Sequence, residues 1–289
     1  RVFFMGKKRI DTRAIGLDVW TEFAKWLTGA ENLHYGLWTG LEVNASNLGA
    51  AQAAYTDKLF GYLPDGPLSI LDIGGGAGET AKKLNALGHR VEIVVPSHFL
   101  ADRCRENAPE AKVHEMTFED FESEERFDLC LFSESFQYIP LEAALNKALG
   151  FTKPDGHILI ADCFRSNENA ARGRLRTPGG GHPIDEFREA VASLPLEEIA
   201  SEDITEADAP SIDMEQALFH VFGTALTRID SELAAKRPVT RRVLAFLLRL
   251  VLGKQRLRRL DTRFRGHSRT SEVFIQHNRY LVTLLRKSN

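Results

Sequence analysis

Leu71-Asp72-Ile73-Gly74-Gly75-Gly76-Ala77-Gly78-Glu79-Thr80 decides how this chain reads. The apolar run Leu68–Ile73 predicts a buried strand, and Glu79–Leu87 predicts a helix, with the glycines between them. Gly74, Gly76 and Gly78 fit G-x-G-x-G, a tight turn without Cβ atoms that lets backbone approach a ligand closely. Many nucleotide-binding folds share such glycines, so the preceding acid discriminates. Asp72, at the strand end, repels a pyrophosphate and suits a cationic, phosphate-free ligand. That disfavours NAD, and the lack of G-K-[S/T] excludes a Walker-type P-loop.

Outward from this loop, strand and helix patterns alternate. Arg90–Val95, Lys112–Met116, Phe127–Phe132 and His157–Cys163 predict further strands. Pro96–Asn107 and Leu141–Leu149 predict helices, the second ended by Gly150. The turn Lys153-Pro154-Asp155-Gly156 leads into the fifth strand. Repeated βα units imply a parallel sheet with right-handed crossovers. Upstream, Leu17, Trp20, Phe23, Ala24 and Leu27 form one helical face closed by Gly29, and a second helix spans Ser46–Leu63. Downstream, Ser166–Pro183 reads as a long loop, Asp185–Ala192 as a helix and Leu196–Ile204 as a strand. Residues 213–270 are mainly helical, interrupted at Pro238 and Gly253, and Asn278–Leu285 reads as a last strand.

The composition is that of an ordered globular chain, 43% apolar and 27% charged over 289 residues. Its charge of −3 conceals a segregation. Residues 236–269 hold twelve Lys/Arg against Asp261 alone, a net of +11, which leaves −14 elsewhere. Three cysteines, Cys104, Cys130 and Cys163, form no disulfide framework and have no metal spacing, so a reducing cytoplasm and no metal are expected. Arg1–Arg13 lacks the apolar core of a signal peptide, and no run approaches the roughly 20 apolar residues of a membrane span.

The chain resembles the class I S-adenosylmethionine-dependent methyltransferases. The glycine loop is similar to their first motif. Phe127-Asp128-Leu129-Cys130-Leu131-Phe132-Ser133-Glu134-Ser135-Phe136-Gln137-Tyr138-Ile139-Pro140 is similar to their fourth-strand motif. Lys153-Pro154-Asp155-Gly156-His157-Ile158-Leu159-Ile160 is similar to their turn into strand five. Leu33-His34-Tyr35-Gly36-Leu37-Trp38 resembles the H-[YF]-G-x-W element of small-molecule and lipid-type members, and Asp203–Ser211 also resembles a segment of that subgroup. The resemblance implies an α/β fold: a doubly wound, mostly parallel seven-stranded sheet with a helical cap. It implies S-adenosyl-L-methionine as cofactor, held by Tyr35, Asp72, Gly74, Gly76, Gly78, Ser97, Thr117, Phe118 and Ser133. His34, Tyr35 and Glu134 are the expected catalytic residues, with His34 or Glu134 taking an acceptor proton.

Two positions depart from the family pattern. Val95 stands where most members carry the acid that accepts both ribose hydroxyls, and Glu92 should face the other side of the strand. Ser97 is the nearest substitute. Thr117 stands where an acid usually meets the adenine amine, while Phe118 is placed to pack on the ring. These changes leave a different reaction with the same cofactor as the alternative to methyl transfer. Tyr138 stands where relatives carry His or an aromatic, and His182 lies on the Gly-rich loop, either a lid contact or a solvated turn.

About seventy residues separate Ile204 from Asn278 where the family has a short hairpin. Four segments follow: an N-terminal helical cap over 1–64, a cofactor-binding core over 65–210, a basic helical insert over 211–276, and the last strand of the core over 277–289. The insert, with Leu218, Phe219, Val221 and Phe222, is expected to cap the sheet edge and line an apolar substrate pocket. A hydrophobic small molecule is therefore the expected acceptor: a quinone, polyketide, isoprenoid or lipid. Sparse aromatics among the basic residues disfavour nucleic acid. Residues 236–269 are read as a solvated helical face or as peripheral membrane contact. A membrane-surface binding protein on a degenerate fold is the non-enzymatic alternative.

Overall fold

The computed structural model describes residues 12–167 and 178–288. The expectations for Arg1–Arg13 and for the middle of Ser166–Pro183 lie largely outside them. Two helices come first, α1 (Thr12–Thr28) and α2 (Leu48–Phe60), the latter entered through a 3-10 turn at Ala45–Asn47. Then β1 (Ser69–Ile73), α3 (Glu79–Ala86), β2 (Arg90–Val95), α4 (His98–Asn107) and β3 (Lys112–Glu115) alternate. They are followed by β4 (Phe127–Ser133), α5 (Leu141–Phe151), β5 (Thr152–Arg165), α6 (Ile184–Ala192) and β6 (Leu196–Asp203). A short α7 (Thr205–Asp208) leads to the long α8 (Pro210–Lys236) and α9 (Pro238–Arg265), then α10 (Ser271–His277) and β7 (Asn278–Lys287).

The strands form one seven-stranded sheet in the order β3-β2-β1-β4-β5-β7-β6. β1 to β5 pair in parallel, and β7 runs antiparallel to both β5 and β6. All five residues of β1 are buried, as a central strand covered on both faces must be. Alternate residues feed opposite layers. Ile70, Ile93 and Leu131 pack with Leu59 of α2, Leu84 of α3 and Cys104 of α4. Leu71, Val94 and Phe132 pack with Leu145 of α5 and Phe187 of α6. The sheet order reverses at β1, which opens a crevice at its carboxyl edge between β2 and β4. All three cysteines are free and buried.

Two local expectations change. Gly150 does not end α5, which continues to Phe151, because that ring is buried against Phe118 and Phe121. The segment Lys153–Gly156 lies inside β5 as a register shift rather than before it, with Asp155 at φ +58°. Lys153 holds this bulge in place through Asp128 at 2.9 Å.

The insert also differs. α8 and α9 pack antiparallel: Asp230 pairs with Arg241 and, at the other end, Gln216 donates to the Arg263 carbonyl. Phe219 meets Phe264 edge-on at 5.6 Å, but Val221 and Phe222 face outward at 66% and 52% exposure. The expected apolar cluster is split: Leu218 and Phe219 are half-buried, whereas Val221 and Phe222 stand in solvent. The base of this hairpin is bonded to the body of the protein through Ser211 and Asp213.

Candidate functional site

A cavity of about 380 Å³ opens at the carboxyl edge of β1, β2 and β4, where the sheet order reverses. The glycine loop forms its floor. Gly74, Gly76 and Gly78 all have positive φ, at +76°, +56° and +87°. A Cβ at Gly78 would stand 2.9 Å from the Cα of Cys104, so that glycine is also required by the packing of α3 on α4. A Cβ at Gly76 would meet only the Leu33 side chain, at 3.5 Å, and that glycine lines the cavity.

Asp72 ends β1 beneath the loop and is buried. Its Oδ2 has no hydrogen-bond partner, and burial pushes the carboxyl up to about 7. An orphaned carboxylate oxygen against the cavity floor is an acceptor that a cationic or N–H-bearing ligand would satisfy.

The loop between α1 and α2 closes one side of the cavity. It is anchored by Glu31, a residue that sequence reasoning passed over. Burial would raise this acid, but hydrogen bonds from Arg103, Lys25 and Asn107 outweigh that effect and hold it at about 2. The Glu31 N–H also donates to Glu79 Oε1 of α3 at 3.3 Å, fastening the loop to the glycine turn. Further along, the Tyr35 N–H donates to Glu134 Oε1 at 2.7 Å. Ser211, at the base of α8, accepts from the Gly36 N–H at 3.0 Å and from Trp38 Nε1 at 2.9 Å.

Other expected residues take positions that their chemistry explains. His34 is buried and stacks on Tyr55 at 4.5 Å. Its Nδ1–H donates to the Tyr35 carbonyl at 2.7 Å, and Nε2 lies 3.5 Å from Thr56 Oγ1. Burial lowers this imidazole to about 4, so it is neutral near pH 7. Tyr35 is drawn into the same layer through its backbone, and its side chain does not line the cavity. Burial pushes the phenol up, with the carboxylates of Glu215, Glu134 and Asp208 adding to it.

On the opposite wall, Val95, Ser97, Thr117 and Phe118 all line the cavity. Glu92 instead pairs with His114 and Lys112 away from it. Ser97 caps α4 by accepting from the Leu100 N–H at 3.3 Å, and Thr117 donates to Asp120 at 2.7 Å. Phe118 is buried and packs edge-on against Phe132. Glu119 joins this wall two residues after Thr117, an acid that the sequence motif did not single out.

Glu134 follows β4 in a left-handed backbone conformation, φ +55°, uncommon for a side chain with a Cβ. Its carboxyl lines the cavity and also accepts from the Tyr280 hydroxyl at 3.1 Å. Tyr280 in turn bonds Tyr55, and Tyr55 bonds Ser133 Oγ. Burial and the neighbouring Asp162 push Glu134 up to about 8, against the opposing hydrogen bonds. Asp208 sits near this group, fully buried with neither carboxylate oxygen bonded. Burial and the charge of Glu134 push it well above the usual carboxylate range.

Tyr138 lines the cavity mouth. His182 is not a solvated turn residue: its Nε2 lies 3.0 Å from the Ile139 carbonyl, and its ring packs edge-on against Phe136. No residue of the 211–276 insert lines this cavity. Among the described residues, no group of three His, Cys, Asp or Glu is arranged to hold a metal ion.

Residues 71–160 match a family described as methyltransferase domain. No curated protein sequence matches the chain. Solved structures match over nearly its whole length. A cyclopropane synthase from Mycobacterium tuberculosis superposes with a TM-score of 0.66 at 17% identity, covering 98% of this chain and 100% of that one. A geranyl diphosphate C-methyltransferase from Streptomyces coelicolor A3(2) gives 0.64 at 14% identity, covering 95% and 96%. A [4+2]-cyclase gives 0.63 at 16% identity, covering 96% and 95%. At these identities the likeness carries the fold, which is the Rossmann-like methyltransferase fold.

Proposed function

We propose that the chain, with the methyltransferase domain of residues 71–160 as its core, binds S-adenosylmethionine and transfers its methyl group to a hydrophobic small molecule. The observation that carries this reading is Asp72, whose unpartnered Oδ2 lies under a glycine loop with three positive φ values. The amino group or sulfonium-bearing arm of that cofactor supplies what this oxygen lacks. The cofactor, when bound, supplies an electrophilic methyl group. Glycine-loop backbone would take up its amino-acid portion, Phe118 would pack on the adenine, and Glu119 would be the nearby acceptor for its amine. Val95 offers the ribose no acceptor, so Ser97 and backbone must serve.

The chain contributes chiefly by holding two reactants in line, where most of the acceleration of such a step arises. Glu134 is the residue best placed to take a proton from the acceptor, since it faces the cavity and burial tunes it to about 8. His34 positions the Tyr35 loop rather than acting as the base, because both ring nitrogens are engaged and burial, by lowering the ring to about 4, leaves it a weak proton acceptor. The hydrophobic acceptor rests on analogy: the neighbouring structures include enzymes of isoprenoid and lipid chemistry.

Calorimetry with S-adenosylmethionine and with its demethylated product tests the binding. Both should bind, and Gly76→Arg should abolish it by filling the cavity floor. No binding by the unaltered protein sinks the reading.

The second reading keeps the cofactor but not the transfer. It is favoured by Val95 and by Thr117, whose hydroxyl is spent on Asp120. A [4+2]-cyclase among the structural neighbours supports this reading. A donor with an isotopically labelled methyl group separates the two, because only transfer puts label in the product.

A further inference from the structure

We propose that the α8–α9 hairpin is a docking surface for an anionic lipid bilayer. Four observations lead there. The first is a stripe of large apolar side chains in water. Val239, Phe246, Leu250 and Val251 are 70%, 65%, 71% and 76% exposed. Val239, Val243, Phe246 and Leu250 recur at four, three and four residues, so they lie on one face of α9. Single exposed apolar residues are ordinary, but a contiguous stripe marks an interaction surface.

The second is the cations beside it. Arg241, Arg263 and Arg269 are neutralised by Asp230 and Glu215. Arg242, Arg249, Lys254, Arg256, Arg258 and Arg259 make no salt bridge to any described residue. Arg242 and Arg249 are seven residues apart and flank the Phe246 side of the stripe. Long basic side chains bordering an apolar face reach lipid phosphates while their stems lie along the acyl boundary.

Third, α9 breaks at Gly253, where φ is +72° and nothing lies within 4 Å of an added Cβ. The break separates the apolar half from the mainly basic half that follows, so the two need not share one axis. Fourth, no helix among the described residues is long and apolar enough to cross a membrane. The hairpin therefore lies on a bilayer rather than spanning it.

The same features disfavour other occupants. A symmetric second copy would lay one basic face on another. Nucleic acid would leave the exposed Phe, Leu and Val stripe against a polar, charged partner. Through Ser211, the base of the hairpin bonds Gly36 and Trp38 in the loop between α1 and α2 that closes one side of the cavity. The inference concerns surface binding only and stands whichever reaction the site performs.

Flotation of the full chain with phosphatidylcholine vesicles, with and without about one third phosphatidylglycerol, tests it. The protein should float with the anionic vesicles, weakly with neutral ones, and less at high salt. Reversing four unpaired cations (R242E, R249E, R258E and R259E together) should weaken binding at least about tenfold. F246S, L250S and V251S together should weaken it comparably. Both variants should keep the parent melting temperature within a few degrees, because the altered side chains are exposed, and should bind S-adenosylmethionine as the parent does. Failure of the parent to float, or unchanged binding by the charge-reversed variant, overturns the proposal. So does a dimer that dissociates when the apolar stripe is changed while no vesicle is bound.

Discussion

The Tyr35 backbone N–H donates to Glu134 Oε1 across 2.7 Å, joining residues 99 positions apart. The bond fixes the loop that covers the cofactor cleft to the acid that ends β4. It also helps explain why Glu134 holds a left-handed conformation: Tyr35 and Tyr280 engage its carboxyl, and its own N–H donates to the Ala161 carbonyl at 2.8 Å. Strained residues so over-determined are concentrated at functional sites.

Glu134→Gln should therefore change stability in a pH-dependent way. The buried acid titrates near 8 in the fold, against about 4.5 unfolded. Between those values the folded state holds the extra proton, so the parent loses stability as pH rises through that window. Glutamine keeps an acceptor for both donors and has no charge to bury. The variant's unfolding free energy should draw ahead of the parent's from pH 5 to 8, by up to a few kcal/mol at the upper end, and its melting temperature with it. A gap that does not move with pH would show that Glu134 is already charged. If the acid is also the base, the rate of the parent should climb through pH 8 and that limb should vanish in the variant.

Asp72→Asn separates binding from folding. Asp72 is buried with an unpartnered oxygen, so its charge contributes nothing favourable to the fold without a ligand. Neutralising it should leave stability unchanged or raised above pH 7. Affinity for S-adenosylmethionine should fall about ten- to a hundred-fold, the loss expected for one charge-assisted contact. Calorimetry and thermal unfolding on the same sample check both directions, and a parallel loss of stability and affinity would make Asp72 merely structural.

The glycines should not respond alike. Gly76→Ala meets only Leu33, at 3.5 Å, so it carries the backbone penalty of φ +56°, about 1–2 kcal/mol. Gly78→Ala adds a clash, 2.9 Å from the Cys104 backbone, and should be clearly the more destabilising of the two. Denaturant unfolding ranks them. Equal effects would mean that α3 and α4 separate easily, although Ala81 of α3 and Cys104 of α4 are both buried in one core cluster.

Much of this was legible because it is local. The glycine loop, Asp72 and the alternation of strands depend on neighbouring residues, and β2 has the predicted bounds. What escaped depends on distant residues. The chain of hydroxyls from Ser133 through Tyr55 to Tyr280 spans a separation of 225 positions. No periodicity announces that Asp208 shares its burial with Glu134. The insert was legible as two helices broken at Pro238 and Gly253, but a helical pattern shows which face is apolar and not what that face meets. Hence two of the four apolar residues assigned to a pocket wall, Val221 and Phe222, stand in solvent.

Ser211→Ala tests how far the insert supports the site. The Ser211 hydroxyl accepts from the Gly36 N–H and Trp38 Nε1 and lies 3.2 Å from the Gly36 carbonyl. Trp38 and Ser211 are both buried, so alanine leaves two N–H donors without an acceptor and out of reach of water. That should destabilise the protein by about 2–4 kcal/mol. Gly36 cannot compensate by shifting toward α2, because a Cβ there would already stand 2.6 Å from Ala51 Cβ and the backbones are in contact. The loop should instead loosen from its Tyr35 end, and S-adenosylmethionine should dissociate faster from the variant, while Ser211→Thr, which keeps the hydroxyl, should restore much of both. If the threonine variant fails as the alanine does, volume rather than the hydrogen bonds governs the junction, and the insert carries no positional information to the cleft.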